Sequence, residues 1–129
     1  MSDFNLSNII LKSVQYNFAN PDRKSISISV NDSIEVLEVD EKSALLKVVR
    51  ELSLGPDTDS YVKINYEVSV ENEEVLTKAI VLEALHNKTI GLVGVFSKIS
   101  LLMSQVTNLS PFGIIVTPPT FNPGKTNII

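Results

Sequence analysis

An α+β fold is what this sequence predicts: a four-stranded antiparallel sheet packed against one long and one shorter helix. Three observations carry that expectation. Apolar residues recur with a period of two across roughly the first 71 positions, the period then lengthens to three and four, and a proline-stiffened apolar stretch follows. A period of two puts alternate side chains on opposite faces of a strand, whereas spacings of three and four gather them on one face of a helix.

The clearest strand lies in residues 62–70, where Val62, Ile64, Tyr66, Val68 and Val70 alternate with Lys63, Asn65, Glu67 and Ser69. One face is dry and the other wet, as in a sheet with one side on a core. Residues 25–30 repeat the pattern, and Ile34, Val36 and Val39 continue it past a bulge or turn expected at Asn31-Asp32-Ser33. The run Ile9-Ile10-Leu11 leads into a first strand through Val14, Tyr16 and Phe18. Residues 44–52 are apolar on parts of both faces, as a central or interface strand would be. Asn20-Pro21-Asp22, Asp40-Glu41-Lys42-Ser43 and Gly55-Pro56-Asp57 supply the breaks, and the last two are short enough for antiparallel connections.

From residue 72 the residues favour helix up to about 109. Asn72 stands where a cap is needed, with Glu73 and Glu74 in the expected first turn, where they suit the helix dipole. Val75, Leu76, Ala79, Ile80, Leu82 and Ala84 form a broad apolar stripe, which His86-Asn87-Lys88 interrupts. Thr89 would cap a second helix, whose Leu92, Val95, Phe96, Ile99, Leu102, Met103 and Val106 make the strongest periodic signal in the chain. Ser97, Lys98, Ser104, Gln105 and Asn108 fall on or near its other side. Leu101 departs from this division, and is expected to be exposed or to meet a partner chain.

Ser110-Pro111 ends the helix. Residues 110–124 then combine four prolines with Phe112, Ile114, Ile115, Val116 and Phe121. Proline lacks a donor and disfavours the helical region for the residue before it, so this segment is neither helix nor central strand. Its apolar content predicts an extended ribbon held against the sheet and helix, with a short tail at 125–129.

At 129 residues, 43% apolar and 20% charged, the chain has the size and make-up of one folded domain. A net charge of −4, with Arg23-Lys24 the only adjacent basic pair, excludes a nucleic-acid footprint. The absence of cysteine removes disulfides, thiolate nucleophiles and zinc–sulfur sites. No secretory pattern opens the chain, and residues 90–106 carry Lys98, Gln105 and three serines, too polar for membrane insertion. A cytoplasmic location is therefore expected, and the Asn-x-Ser/Thr triplets at Asn5, Asn31, Asn87 and Asn108 carry no weight.

The chemistry of a catalyst is missing. His86, alone at a helix end, reads as a dipole partner or a solvated residue. The acidic clusters around Glu38, Asp57 and Glu73 read as solubilising or capping groups. Pro123-Gly124-Lys125-Thr126 imitates a phosphate loop, but Pro119 stands where the motif needs its first glycine. A frayed or partner-bound tail is the expectation there. No enzymatic activity, no cofactor and no metal site is expected.

Taken in order, these elements resemble the SecB family of export chaperones over nearly the whole chain. Asn8-Ile9 and Tyr16-x-Phe18-x-x-Pro21 resemble that family's first strand and its proline turn. Glu67-Val68 is similar to an acid–hydrophobic pair in its fourth strand, and Ile114-Ile115-Val116-Thr117-Pro118-Pro119-Thr120-Phe121 to the segment after its amphipathic helix. The resemblance implies a holdase that binds unfolded or nascent polypeptides in apolar grooves, assembles as a homo-oligomer (dimer or tetramer), and passes clients to an export motor or a specific partner.

On that footing the candidate client-binding or interface residues are Val95, Phe96, Ile99, Leu102, Met103, Phe112, Ile114, Val116 and Phe121, with Glu67 the candidate for partner docking. Val95, Phe96, Ile99 and Met103 read equally as core or subunit interface, the commonest use of an amphipathic helix over a sheet. The family's final helix has no counterpart after Phe121, and Ser13 and Asn17 stand where export-type members display acids. An export role and a dedicated role, serving an antitoxin or one phage or mobile-element protein, both fit. So do a non-enzymatic assembly protein forming a fixed oligomer and a small-ligand-binding or enzymatic sheet-and-helix domain.

Overall fold

The computed structural model describes residues 4–19, 27–55 and 60–129. Four long strands come first: β1 (Asn5–Asn17), β2 (Ile28–Val39), β3 (Ser43–Leu54) and β4 (Tyr61–Glu71). Two helices follow, α1 (Lys78–His86) and α2 (Val93–Thr107), and a short strand β5 (Thr126–Ile128) comes after them. The sheet order is β1-β4-β3-β2-β5. All pairings among the four long strands are antiparallel, and β5 adds parallel to β2. The class is α+β, as the change of period predicts, with five strands rather than four. The expected breaks at Asn20-Pro21-Asp22 and Pro56-Asp57, with Ser25 and Ile26 of the second strand, lie outside the described residues.

One face of the sheet carries the core. Val62, Ile64, Tyr66, Val68 and Val70 of β4 and Ala44, Leu46, Val48, Leu52 and Leu54 of β3 are buried beneath the helices, while their odd-numbered neighbours form the outer face. Val81, Ala84 and Leu85 of α1 and Val95, Phe96, Ile99, Met103 and Val106 of α2 close over them. This is the two-layer arrangement in which a sheet face and a helix stripe shield each other from water. Among the described residues no helix is long and apolar enough to cross a membrane.

Several local expectations change. No bulge occurs at Asn31-Asp32-Ser33, where β2 pairs residue for residue with β3. The irregularity falls between Val36 and Glu38, and it flips the parity so that Val39 returns to the core side opposite Ala44. In β1, shifts between Leu6 and Asn8 and between Leu11 and Ser13 let Leu6, Ile9, Leu11, Val14 and Tyr16 all register with the core-facing residues of β4.

Asn72 does not cap a helix. Its Oδ1 accepts from the Glu74 N–H at 2.9 Å, and its own N–H donates to the Lys42 carbonyl. Leu76 then donates to Glu41, so residues 72–76 stay against the β2–β3 turn, and α1 starts later with Thr77 as its cap. Glu73 and Glu74 therefore precede the helix. Thr89 closes α1 instead of opening α2: its N–H reaches the Ala84 carbonyl at 2.8 Å while Lys88 takes a left-handed φ of 57°. α2 begins after Leu92 with no side-chain cap.

The turn out of α2 also uses left-handed backbone, at Gly113 with φ of 81°. A Cβ there would meet nothing within 4 Å. Gly113→Ala therefore carries only the backbone cost, expected at about 1 kcal/mol of stability in urea denaturation. An unchanged midpoint would show that the turn does not need this conformation.

Candidate functional site

The inner row of β3 reads Ala44, Leu46, Val48, Arg50, Leu52, Leu54, and that of β2 reads Ile28, Val30, Asp32, Ile34, Val36. Each row has one charge, and Asp32 and Arg50 are direct cross-strand partners. Arg50 is 1% exposed. Its Nε donates to Asp32 Oδ1 at 2.7 Å and its Nη2 to Oδ2 at 2.8 Å, a two-pronged pairing that only a guanidinium can make.

The remaining N–H groups go to the ribbon. Nη1 donates to Thr117 Oγ1 at 3.1 Å and to the Pro118 carbonyl, and Nη2 donates to the Thr120 carbonyl at 2.9 Å. A guanidinium has five donors, and these five bonds use them all. Pro118 offers its carbonyl to Arg50, and the two prolines hold this stretch extended so that the Thr120 carbonyl also reaches the guanidinium.

The same region is joined through rings. The Arg50 guanidinium carbon lies 5.0 Å from the Phe96 ring centroid, Phe96 stacks on Phe121 at 5.1 Å, and Lys88 Nζ lies 5.1 Å from the Phe121 centroid. Lys88 Nζ also donates to Thr120 Oγ1 at 3.0 Å. Two cations and two aromatic rings thus clasp residues 117–121 between β3, α2 and the end of α1.

Further back, the ribbon lies along a hydroxyl face of α2. Ser100, Ser104 and Thr107 are spaced by four and three residues and so share one side of the helix. Thr107 Oγ1 accepts from the Ile115 N–H at 2.9 Å, Ser104 Oγ donates to the Ile115 carbonyl at 3.2 Å, and Ser100 Oγ donates to the Thr117 carbonyl at 2.6 Å. Ser104 belongs to this attachment rather than to the solvent side. The rungs draw Ile115 and Thr117 inward and leave Ile114 and Val116 outside.

The candidate residues consequently separate into two groups. Val95, Phe96, Ile99, Met103 and Phe121 are buried within the protomer, where a partner cannot touch them without opening the core. Leu102 and Phe112 are half-buried. Ile114 and Val116 are 62% and 78% exposed, and Leu101 on α2 is 62% exposed. Glu67 lies on the outer face of β4, far from this ribbon in the sheet's layering, with its Oε2 3.8 Å from Lys12 Nζ.

Arg50, Asp32, Lys88 and the α2 hydroxyls were not among the candidates. Tyr66 packs on the core side, and that burial pushes its phenol up from its ordinary value. Among the described residues no three His, Cys, Asp or Glu side chains are grouped to hold a metal ion.

A SecB-like chaperone from Mycobacterium tuberculosis, solved in complex with a ChAD peptide from an antitoxin, is similar to this chain with a TM-score of 0.66. The match covers 92% of this chain and 88% of that one at 8% identity. A protein of unknown function from Streptococcus agalactiae matches with a TM-score of 0.50, covering 92% of this chain and 98% of that one at 10% identity. No protein-family model and no curated protein matches the sequence. The chain has a SecB-like fold, and at these identities the likeness is one of fold alone.

Removing Arg50 would leave the half-buried Asp32 carboxylate, the buried Thr117 hydroxyl and the Pro118 and Thr120 carbonyls without their donor. Arg50→Met is expected to cost about 3–5 kcal/mol in urea denaturation, and Asp32→Asn a substantial part of that. Arg50→Met combined with Asp32→Asn should cost less than the two single changes added together. Strict additivity would show that the two residues do not act as a pair.

Proposed function

We propose that this protein is a SecB-like chaperone, a non-enzymatic holdase that binds extended segments of non-native polypeptides. The observation that carries the reading is the ribbon itself. Its inner side is tied down by Arg50 and by the α2 hydroxyls, while Ile114 and Val116 stand in solvent. An apolar row displayed on a fixed backbone offers contact to unfolded chains, whose apolar side chains are uncovered, without first having to be ordered.

Ile114, Val116 and Phe112 would meet the client, and Leu102 and Leu101 on α2 are further candidates. Val95, Phe96, Ile99, Met103 and Phe121 would serve as the support beneath. The SecB-like fold supports the chaperone reading, and so does the M. tuberculosis neighbour, a SecB-like chaperone solved in complex with a peptide.

A homo-oligomer, dimer or tetramer, is favoured by β1, a thirteen-residue edge strand with Ile10, Leu11 and Tyr16 exposed. A dedicated client is favoured over the export motor by Ser13 and Asn17, which stand on β1 in place of acids, and Glu67 is already ion-paired with Lys12. A cytoplasmic location and a single domain complete the reading.

Light scattering of a chemically unfolded client diluted into buffer tests the function. The native protein is expected to suppress aggregation at stoichiometric ratios. Ile114→Asp with Val116→Asp should abolish most of that suppression, with stability changed by no more than about 0.5 kcal/mol per site, because both positions are exposed. A native protein that leaves the scattering unchanged would rule the holdase out. A fixed assembly with its apolar surface covered would, in addition, bind little hydrophobic dye.

A further inference from the structure

Residues 126–129 hold the outer edge of β2 chiefly through main-chain contacts. Thr126, Asn127 and Ile128 register with Asp32, Ser33 and Ile34. The Ile129 N–H donates to the Ile34 carbonyl at 3.0 Å, and the Val36 N–H donates to the Ile129 carbonyl at 2.8 Å. Only the middle of a twelve-residue strand is covered in this way. The pairing is parallel in an otherwise antiparallel sheet, and parallel ladders are slightly weaker per residue.

Side-chain support for this segment is thin. Ile128 packs against the edge of the core, whereas Asn127 and Ile129 are exposed. Open clefts lie on both of its sides. One of about 440 Å³ runs between Val30, Phe121 and Thr126, and another of about 400 Å³ between Ser33, Lys47 and Asn127. Earlier in β2, Ile28 and Val30 are exposed on the core-side row. The edge is therefore wider and more apolar than the four residues now lying on it.

We propose that the β2 edge is a strand-accepting site for polypeptide, and that residues 126–129 are its resident strand, exchanging with an extended segment of a client. This deepens the chaperone reading and rests on it. The resident strand defines what fits: a β-branched apolar side chain in the place of Ile128, an outward residue of any polarity in the place of Asn127, and a free N–H in the place of Ile129.

A client segment of eight or so residues would also pair beside Ile28 and Val30, and so gain ladder bonds and apolar burial that the resident strand does not have. The resident strand is tethered, which favours it over short or proline-broken segments. It also covers part of an edge that would otherwise pair indiscriminately.

The chain has no cysteine, so Ser33→Cys with Asn127→Cys creates a single disulfide that locks the resident strand when oxidised and frees it when reduced. The probe is fluorescently labelled, carboxymethylated α-lactalbumin, which is permanently unfolded and free of thiols. The oxidised form should bind it at least ten-fold more weakly than the reduced form of the same variant. In parallel, Ile128→Asp, which loosens the strand without touching β2, should tighten binding several-fold.

Equal affinity of the oxidised and reduced forms, or an Ile128→Asp variant no tighter than the parent, overturns the proposal and leaves the chaperone reading standing. A parent protein that does not bind the probe at all removes both.

Discussion

A guanidinium buried in an apolar sheet face has to find every one of its partners, and the rest of this fold is arranged around that requirement. Isolated, a buried Arg50 would cost several kcal/mol in lost hydration. Its cost is offset only when Asp32, Thr117 and the Pro118 and Thr120 carbonyls all stand within reach, which brings β2, β3 and the ribbon to one point. Two apolar residues in place of the pair would join the strands without the cost of burying charge. They would not say where the ribbon goes. The charge pair is best understood as a locating device, whose contribution is positional more than it is to net stability.

Prolines, hydroxyls and rings serve that location together. Pro118 and Pro119 stiffen the segment and hold it extended at the exposed end of the clasp. Ser100, Ser104 and Thr107 turn one side of an apolar helix into a row of short hydrogen-bonding groups, which lets the ribbon come close to the helix. Lys88 accepts a left-handed backbone that glycine would adopt more easily. Its ammonium in return bonds Thr120 and lies over Phe121, so the strained end of α1 is also the last clasp on the ribbon.

Much of this was legible in the sequence, and the exceptions have physical causes. β4 and α2 were plain because each keeps one period from end to end, and the ribbon was plain from its prolines. The start of α1 was misplaced because Asn72, Glu73 and Glu74 have helix-start chemistry, but the backbone around them is bonded to the β2–β3 turn instead. β5 is three residues long, which is too short to express a period. Arg50 and Asp32 were passed over because a charge within an apolar run looks like an interruption. The clue lay in parity: Ile28 and Val30 before Asp32, and Ile34 and Val36 after it, are all even-numbered, whereas a one-residue bulge would have shifted the later pair to odd. Two opposite charges on the dry faces of neighbouring strands are a candidate buried pair.

The register of the ribbon decides what remains outside. In an extended segment alternate residues face opposite ways, so turning Val116 inward would turn Ile115 and Thr117 outward. That exchange would break the bonds to Thr107, Ser104, Ser100 and Arg50 together, against the burial of one or two aliphatic side chains worth about 2 kcal/mol each. At about 1 kcal/mol for each ordinary hydrogen bond, and more for those to the guanidinium, the balance lies with the present register. The exposed row is therefore held open by what lies beneath it. An apolar row on an extended ribbon stays exposed only if the ribbon resists turning over, and here a fully paired arginine under the ribbon supplies that resistance.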